Sequence, residues 1–269
     1  MKQKLIAAPY LVWMAVFIVV PLLMVAYFAF TDGEGRFTLD YIAEVGKYTD
    51  IFVRSIWLAA IATVICLVIA YPLAYILTKM EKKRQSTMLM IVMLPMWMNF
   101  LLRTYAWMTL LGNNGIINTL LGYVGLGPYK MLNTEGAVVL GMVYNYLPYM
   151  ILPLYSVMEK IDKSLIEAAA DLGCNGARVL AKVIFPLSLP GVTSGITMVF
   201  VPAISTFIIS RMLGGGGNLL IGDLIEMQFL GNSYNPNLGA GISLVLMVII
   251  LLIMTIMNQF DSDDEKVLI

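Results

Sequence analysis

The chain has 269 residues, of which 60% are hydrophobic and 13% charged, and its formal net charge is zero. Soluble domains carry about 25% charged residues, so the composition excludes an ordinary soluble fold and predicts an all-α integral membrane protein. The balanced charge argues against a nucleic-acid partner. Because the chain has no histidine, the commonest metal ligand and general base is missing, and we predict no metal site, bound cofactor or catalytic residue.

Six apolar stretches are long enough to be transmembrane helices. Two lysines precede the first stretch, which is too long for the apolar core of a signal peptide and is therefore interpreted as a retained helix. Arg103 is predicted to interrupt the third stretch, and the glycine- and asparagine-rich residues 112–135 are predicted to form an external loop. The six predicted spans are 5–30, 55–78, 86–111, 136–158, 191–210 and 239–258.

The longest polar interruption in the second half of the chain lies between the fourth and fifth stretches. Ser164 followed by Glu167 has the sequence of a capping box, in which each side chain accepts a hydrogen bond from an otherwise unpaired N–H. Leu165, Ala169 and Leu172 then recur on one face of a helix. This pattern predicts a short helix that begins near Ser164.

A glycine corner and a second helix follow. Gly173 suits the left-handed position just after a helix, where any side chain costs energy. Asn175 can cap the second helix through its side chain, and Pro186 is predicted to end that helix.

Lysine and arginine are concentrated in alternate connecting segments, which indicates the cytoplasmic side. We therefore expect both termini and the polar interruption to be cytoplasmic. The predicted inner segments hold Lys2, Lys4, Lys79, Lys82, Lys83, Arg84, Lys160, Lys163, Arg178, Lys182 and Lys266. The outer segments and the spans hold Arg36, Lys47, Arg54, Arg103, Lys130 and Arg211.

The polar interruption resembles the EAA loop of ABC importer permeases, because Glu167-Ala168-Ala169 is followed by Gly173 and then by Ile184-Phe185-Pro186. Three longer stretches look like the spermidine/putrescine permease family, and more narrowly its first permease subunit type. They are MLPMWMNFLLRTYAW at 93–107, LPLYSVMEKIDKSLIEAA at 152–169 and GGGGNLLIGDLIEMQFL at 214–230.

The resemblance implies a type I ABC importer permease fold, with residues 1–269 as a single domain in the cytoplasmic membrane. Residues 159–190 would be the coupling loop, through which an ATPase moves the membrane helices. The implied partners are a second permease subunit in a heterodimer, an extracellular polyamine-binding protein and two ATPase subunits that hold ATP and Mg. The residues that would carry the coupling are Ser164, Glu167, Ala168, Ala169, Asp171, Gly173, Ile184 and Pro186.

A polyamine is a flexible chain with several ammonium groups, which carboxylates, carbonyls and aromatic faces can bind. The candidate pathway residues are Trp97, Asn99, Tyr105, Tyr144, Tyr146, Asp223 and Glu226. The aromatic members fit an interfacial belt equally well, and the two acids can also be solvated loop charges. The asparagine can instead make helix–helix hydrogen bonds.

Arg103 is costly inside a span and would repel a polyamine, so a structural salt bridge or a gate is the preferred interpretation. Two other functions remain open at this stage. One is an importer of the same architecture for another solute, such as an anion or a metal chelate. The other is an ion-coupled secondary transporter, although the inverted repeats typical of that class are not visible.

Overall fold

The computed structural model describes residues 9–231 and 233–265, with side chains described up to Met257. Residues 5–8 of the first predicted span lie outside these ranges. The described secondary structure is helical apart from an isolated antiparallel bridge between Thr31 and Phe37. The helices are α1 Pro9–Ala29, α2 Asp40–Val45, α3 Thr49–Thr78, α4 Lys82–Trp97, α5 Phe100–Leu111, α6 Ile116–Tyr123, α7 Glu135–Met158, α8 Lys163–Asp171, α9 Gly176–Ile204, α10 Ile208–Gly214, α11 Ile221–Leu230 and α12 Pro236–Glu265.

Five helical stretches in the described ranges are long and apolar enough to cross a membrane, or six if a bent pair counts as one span. These stretches are α1, the continuous run of α2 and α3, α7, α9 and α12, and the bent pair is α4 with α5 and α6. The predicted all-helical membrane architecture is therefore confirmed. The predicted fourth span, 136–158, matches α7 to within one residue, and the predicted second span, 55–78, ends where α3 ends but begins six residues after Thr49.

The third span is broken, but the prediction that Arg103 breaks it is wrong. The helix ends at Trp97, and the segments on either side of the break differ in direction by 88°. Pro95 lies in the last turn of α4. The Asn99 side chain then caps α5 by accepting backbone N–H hydrogen bonds at 2.9 and 3.3 Å. Hydropathy does not mark this break, because the sequence stays largely apolar across it.

The prediction that Pro186 ends a helix is also wrong. One helix, α9, runs from Gly176 to Ile204, so it begins before the predicted fifth span and ends before residue 210. A π-helical turn, Leu180–Ile184, immediately precedes the proline. Pro186 then lies in the first turn of the α-helical part, where the wider preceding turn accommodates a residue without an N–H.

Short helices also occupy two regions where none was predicted. Helix α6 lies within the predicted external loop, and α10 and α11 lie between the fifth and sixth spans. None of the three is longer than ten residues, and the glycines and asparagines around them obscure their periodicity in the sequence.

Small residues permit close packing of α3, α7 and α9, which form the centre of the bundle. Gly191 and Gly195 are four residues apart on α9 and face α7, and a Cβ on Gly195 would lie only 2.6 Å from the Met150 Sδ atom. The buried small residues of α3 are Ala59, Ala62, Cys66, Ala70 and Ala74. This arrangement is typical of membrane helices, whose backbones approach closely at small side chains. The polar segment with α8 is attached to this three-helix centre.

Candidate coupling loop and translocation face

The first helix of the polar segment, α8, begins after Asp162. The Asp162 carboxylate accepts a 2.9 Å hydrogen bond from the Ser164 N–H, and this bond lowers the pKa of the Asp162 carboxyl below its ordinary value. The predicted capping box is therefore wrong: Ser164 lies inside the first turn and Glu167 one turn further along. An aspartate caps a helix as well as a serine does, and here the aspartate comes first in the chain.

The corner after α8 matches the prediction. Gly173 has a φ of +79°, and its N–H donates to the Ala170 carbonyl at 2.9 Å while the Cys174 N–H donates to the Ala169 carbonyl at 3.0 Å. Asn175 caps α9 by accepting a 2.9 Å hydrogen bond from the Arg178 N–H. No atom lies within 4 Å of a Cβ built on Gly173, so the backbone conformation, and not a lack of space, requires glycine here.

The coupling-loop candidates divide into an inner and an outer group. Ala169 and Ile184 are buried against Val179 in a small apolar cluster that holds α8 against α9. Pro186 is half-buried, and Ser164, Glu167, Ala168, Asp171 and Gly173 are exposed. The inner group therefore shapes the loop, and the outer group is available to a partner.

Two leucines on this loop are exposed and were not among the candidate site residues. The sequence pattern placed Leu165, Ala169 and Leu172 on one face of a helix, and of these only Ala169 is buried. Leu172 is 86% exposed and Leu165 is 48% exposed. Their apolar character among the charged residues of 159–172 was the available signal.

A polar network connects the ends of α3, α4 and α7 next to this loop. The Tyr155 hydroxyl of α7 donates to Gln85 Oε1 of α4 at 3.3 Å, and Gln85 Nε2 donates to the Thr78 carbonyl at the end of α3 at 3.3 Å. Lys82 forms an ion pair with Glu159, and its hydrogen bond lowers the pKa of the Glu159 carboxyl. These contacts and α8 border a cavity of about 620 Å³.

The aromatic pathway candidates do not form one cluster. Trp107 and Tyr144 meet edge to face with ring centroids 5.4 Å apart, beside an apolar cavity of about 740 Å³. The Tyr146 hydroxyl donates to the Pro202 carbonyl at 3.2 Å. Trp97 and Tyr105 are 72% and 56% exposed, respectively. Asn99 has the structural role of capping α5.

The two candidate acids of α11 share an arginine that sequence reasoning did not connect with them. Arg211 of α10 binds both Glu226 carboxylate oxygens, with Nη1 3.1 Å from Oε1, and its Nε lies 4.0 Å from Asp223 Oδ1. Left-handed Gly215 and Gly216 turn the chain between the two helices. Opposite charges on either side of a glycine-rich turn were the signal that could have revealed this cluster.

The two acids differ in their environment. Asp223 is 1% exposed and accepts a 3.0 Å hydrogen bond from the Leu220 N–H, which caps α11. Burial raises the pKa of the Asp223 carboxyl, whereas the hydrogen bond from Arg211 lowers the pKa of the Glu226 carboxyl. Glu226 is thus the more accessible anion of this cluster.

Solved structures with the same arrangement of helices are ABC importer permeases. A chain of a bacterial ABC transporter involved in the import of the acidic polysaccharide alginate aligns with a TM-score of 0.76 at 16% identity, covering 97% of this chain and 96% of that one. A bacterial alginate ABC transporter in complex with an alginate pentasaccharide-bound periplasmic protein gives a TM-score of 0.77 at 15% identity, covering 96% and 93%. The protein therefore has the fold of an ABC importer permease subunit.

Sequence comparison places the chain more narrowly. Residues 3–262 match the family described as binding-protein-dependent transport system inner membrane component. The chain belongs to this family, and it is a multi-pass protein of the cytoplasmic membrane.

Several curated relatives are similar over nearly the whole chain. The spermidine/putrescine transport system permease protein PotB of Haemophilus influenzae is 38% identical, over 93% of this chain and 91% of the relative. The protein of the same name from Escherichia coli is 36% identical, over 88% and 90%. The inner membrane ABC transporter permease protein YdcU of Escherichia coli is 29% identical, over 80% and 72%.

Proposed function

We propose that the protein is a membrane-spanning subunit of an ATP-driven importer for polyamines such as spermidine and putrescine. The observation that carries this proposal is 38% identity to a spermidine/putrescine permease over 93% of the chain. The fold alone does not determine the substrate, because its structural neighbours belong to importers of an acidic polysaccharide. An anionic solute is therefore the alternative that an experiment must exclude.

In this proposal residues 159–190 couple the permease to an ATPase. The exposed Leu165, Leu172 and Glu167 would contact a groove of the ATPase, while the buried Ala169 and Ile184 keep the loop rigid. Two ATPase subunits would bind ATP and Mg, and a second permease subunit would complete a heterodimer. An extracellular binding protein would deliver the polyamine, and both termini of this chain would be cytoplasmic, as its lysine and arginine distribution indicates.

The coupling residues proposed from the sequence keep this role, divided between contact and support. Contact would come from Ser164, Glu167, Ala168 and Asp171, and support from Ala169, Gly173, Ile184 and Pro186. Because α8 is fastened to α9 and lies close to the network of Tyr155 and Gln85, displacement of the loop would move the helix bundle as a rigid body.

The pathway would pass the acid cluster of α11. An ammonium group can take the place of the Arg211 guanidinium beside Glu226, because both are cations that donate hydrogen bonds to a carboxylate. Substrate would thereby release α11 from α10. Exposed Trp97 and Tyr105 offer aromatic faces for cation–π contacts with the remaining ammonium groups. Asn99, Tyr144, Tyr146 and Asp223 would support this pathway without direct contact.

The test is ATP-dependent uptake of labelled spermidine into proteoliposomes that hold this chain with its second permease, ATPase and binding protein. Unlabelled putrescine and an anionic oligosaccharide are the competitors. Competition by putrescine alone supports the proposal. Uptake that only the anion blocks, or ATP hydrolysis without any polyamine uptake, would rule out the polyamine as substrate.

A further inference from the structure

Arg103 lies inside the protein without a hydrogen-bond acceptor. It is 9% exposed, and its Nε and Nη1 atoms are enclosed and make no hydrogen bond in the described part of the chain. The guanidinium lies over the Phe100 ring, whose centroid is 5.7 Å from the Arg103 Cζ atom. The charge therefore lies against an aromatic face, with two of its nitrogens unpaired in the described part of the chain.

Such a charge needs a partner. Arginine stays protonated at every accessible pH, so it cannot escape the cost of burial by becoming neutral. A cation–π contact recovers a small part of the hydration that the guanidinium loses on entering an apolar environment. Charged residues in membrane spans accordingly pair with one another or face water.

Four other arginines, whose side chains are 41–79% exposed, form ion pairs within this chain. Each is within ion-pair distance of an acid in the same chain, whereas Arg103 has no such acid in the described ranges. The four pairs are Arg36–Glu34, Arg54–Glu135, Arg84–Glu81 and Arg211–Glu226. No acid in the described ranges therefore serves as the acceptor for Arg103, which leaves an acceptor from outside these ranges.

The position of Arg103 on α5 narrows the choice of acceptor. Leu101, Leu102 and Tyr105 form the exposed flank of this helix. At 3.6 residues per turn Arg103 lies on the opposite flank, next to Thr104, which is 1% exposed. An acceptor therefore does not approach the guanidinium from the exposed flank of α5. A polyamine, being a cation, is repelled.

We infer that a carboxylate of the second permease subunit binds Arg103 and completes a charge pair across the interface between the two membrane subunits. Nε and Nη1 of the guanidinium are enclosed, but Nη2 is not. An incoming carboxylate would therefore meet the guanidinium at Nη2. A carboxylate matches the guanidinium geometrically and by charge. The inference rests on the proposed function only in requiring a second permease subunit.

The first test compares Arg103→Met in two settings. In the assembled complex, removing the cation leaves the partner carboxylate buried and unpaired, so the amount of second permease that co-purifies with this chain falls by about tenfold or more. In the full chain purified alone, the same substitution removes an uncompensated charge, and the melting temperature is unchanged or higher. Arg54→Met is the matched control, since the Glu135 partner of Arg54 belongs to the same chain, and its effect is similar in both settings.

The second test is charge exchange, which does not require the isolated chain to be stable. Arg103→Glu prevents assembly, and replacing one intramembrane acid of the second permease by arginine restores it. Each intramembrane acid of that subunit is tried in turn, and Arg103→Lys is included as a variant that keeps the charge without the planar fork.

Several outcomes overturn the inference. Equal destabilisation of the complex and of the chain alone by Arg103→Met places the acceptor within this chain. An effect that appears in nanodiscs of anionic phospholipid but not of phosphatidylcholine identifies a lipid phosphate instead. Normal assembly of the Arg103→Met complex, or failure of every charge exchange to restore assembly, would show that Arg103 forms no charge pair across the interface. Because assembly is measured without substrate, a failed polyamine uptake assay does not affect the conclusion about the interface pair. Normal polyamine uptake likewise does not support the pair if the assembly experiments contradict it.

Discussion

At the scale of single residues, Gly173 shows how a conformational requirement can be separated from a spatial one. Its φ of +79° lies in the left-handed region, yet a Cβ at this position would meet no atom within 4 Å. A Cβ on Gly176 would also meet no atom within 4 Å, but the φ of Gly176 lies outside the left-handed region. The two glycines therefore form a matched pair, three residues apart in the same loop.

We predict that Gly173→Ala reduces uptake without reducing membrane insertion. Placing a side chain in the left-handed conformation costs about 1–2 kcal/mol, which shifts the population of the native corner by roughly 5- to 30-fold. ATP hydrolysis by the assembled complex would then continue with little transport. Uptake and hydrolysis are measured together in proteoliposomes, and Gly176→Ala is the control. Gly173→Asn should retain more uptake, because asparagine tolerates this conformation, and equal loss from both alanine variants would contradict the prediction.

Glu226 yields a prediction about pH. Arg211 holds the pKa of this carboxyl below its ordinary value. The ion pair therefore stabilises the folded protein fully at pH values above the ordinary glutamate pKa of about 4.3. That stability is lost as pH falls through the lowered pKa of the folded state. The melting temperature of the complex with Glu226→Gln is therefore expected to be lower than that of the wild type at pH 7. The difference should shrink on acidification, and a difference that stays constant between pH 7 and pH 3 would argue against the ion pair.

The sequence revealed residues whose role depends on their immediate neighbours. Gly173 and Asn175 were predicted correctly because a helix end is a local pattern. The link between Arg211 and Glu226 was missed, although the run of glycines between them is visible in the sequence. Pairing across a turn depends on the direction in which the chain leaves it, and two left-handed glycines allow many directions.

At the scale of helices, the junction of α3, α4 and α7 combines a buried hydrogen-bond network with an exposed ion pair. Gln85 is 4% exposed and bonds to both neighbouring helices. The Lys82 side chain is 81% exposed in its pair with Glu159. Leaving buried polar groups unsatisfied costs about 1–3 kcal/mol, whereas an exposed ion pair contributes about 0–1 kcal/mol. The amide, and not the ion pair, should therefore hold the junction together.

This difference predicts that Gln85→Leu lowers the melting temperature by about 2–6 °C, because it removes the side-chain donor to the Thr78 carbonyl and leaves the Tyr155 hydroxyl with Glu159 alone. Lys82→Gln should change the melting temperature by less than about 2 °C. Both are measured on the purified complex in the same detergent, with Lys83→Gln as a neighbouring control. A larger effect from Lys82→Gln than from Gln85→Leu would show that the ion pair is the stronger link.

Helix bounds could be predicted from the sequence where an apolar run alone sets them, as for α7 and for the end of α3. Helix ends could not be predicted where the backbone rearranges within such a run. Pro186 looks like a stop, but the π-helical turn before it lets α9 continue. Asn99 looks like a polar residue inside a span, but it caps the second half of a broken helix. In both places the outcome depends on backbone hydrogen bonds that hydropathy does not report.

At the scale of the whole molecule, the subunit presents two kinds of surface. The apolar outer faces of α1, α4 and α12 suit lipid and neighbouring membrane helices, and the polar segment between α7 and α9 suits an aqueous compartment. The fold fixes the side of the bundle from which this segment emerges but not which side of the membrane that is. The distribution of lysine and arginine assigns it to the cytoplasm, and a native cysteine in the segment can test the assignment.

Cys174 and Cys66 are both free thiols, but Cys66 is 0% exposed and Cys174 is partly exposed beside Gly173. A membrane-impermeant maleimide is therefore expected to modify Cys174 in inside-out vesicles and neither thiol in intact cells. Cys174→Ser should abolish the labelling, which shows that Cys66 does not contribute until the protein is denatured. Bound ATPase subunits should slow the reaction, because the proposed docking surface includes the neighbouring Leu172. Labelling of Cys174 from outside intact cells would reverse the orientation of the whole bundle and would leave the loop with no access to cytoplasmic ATPase.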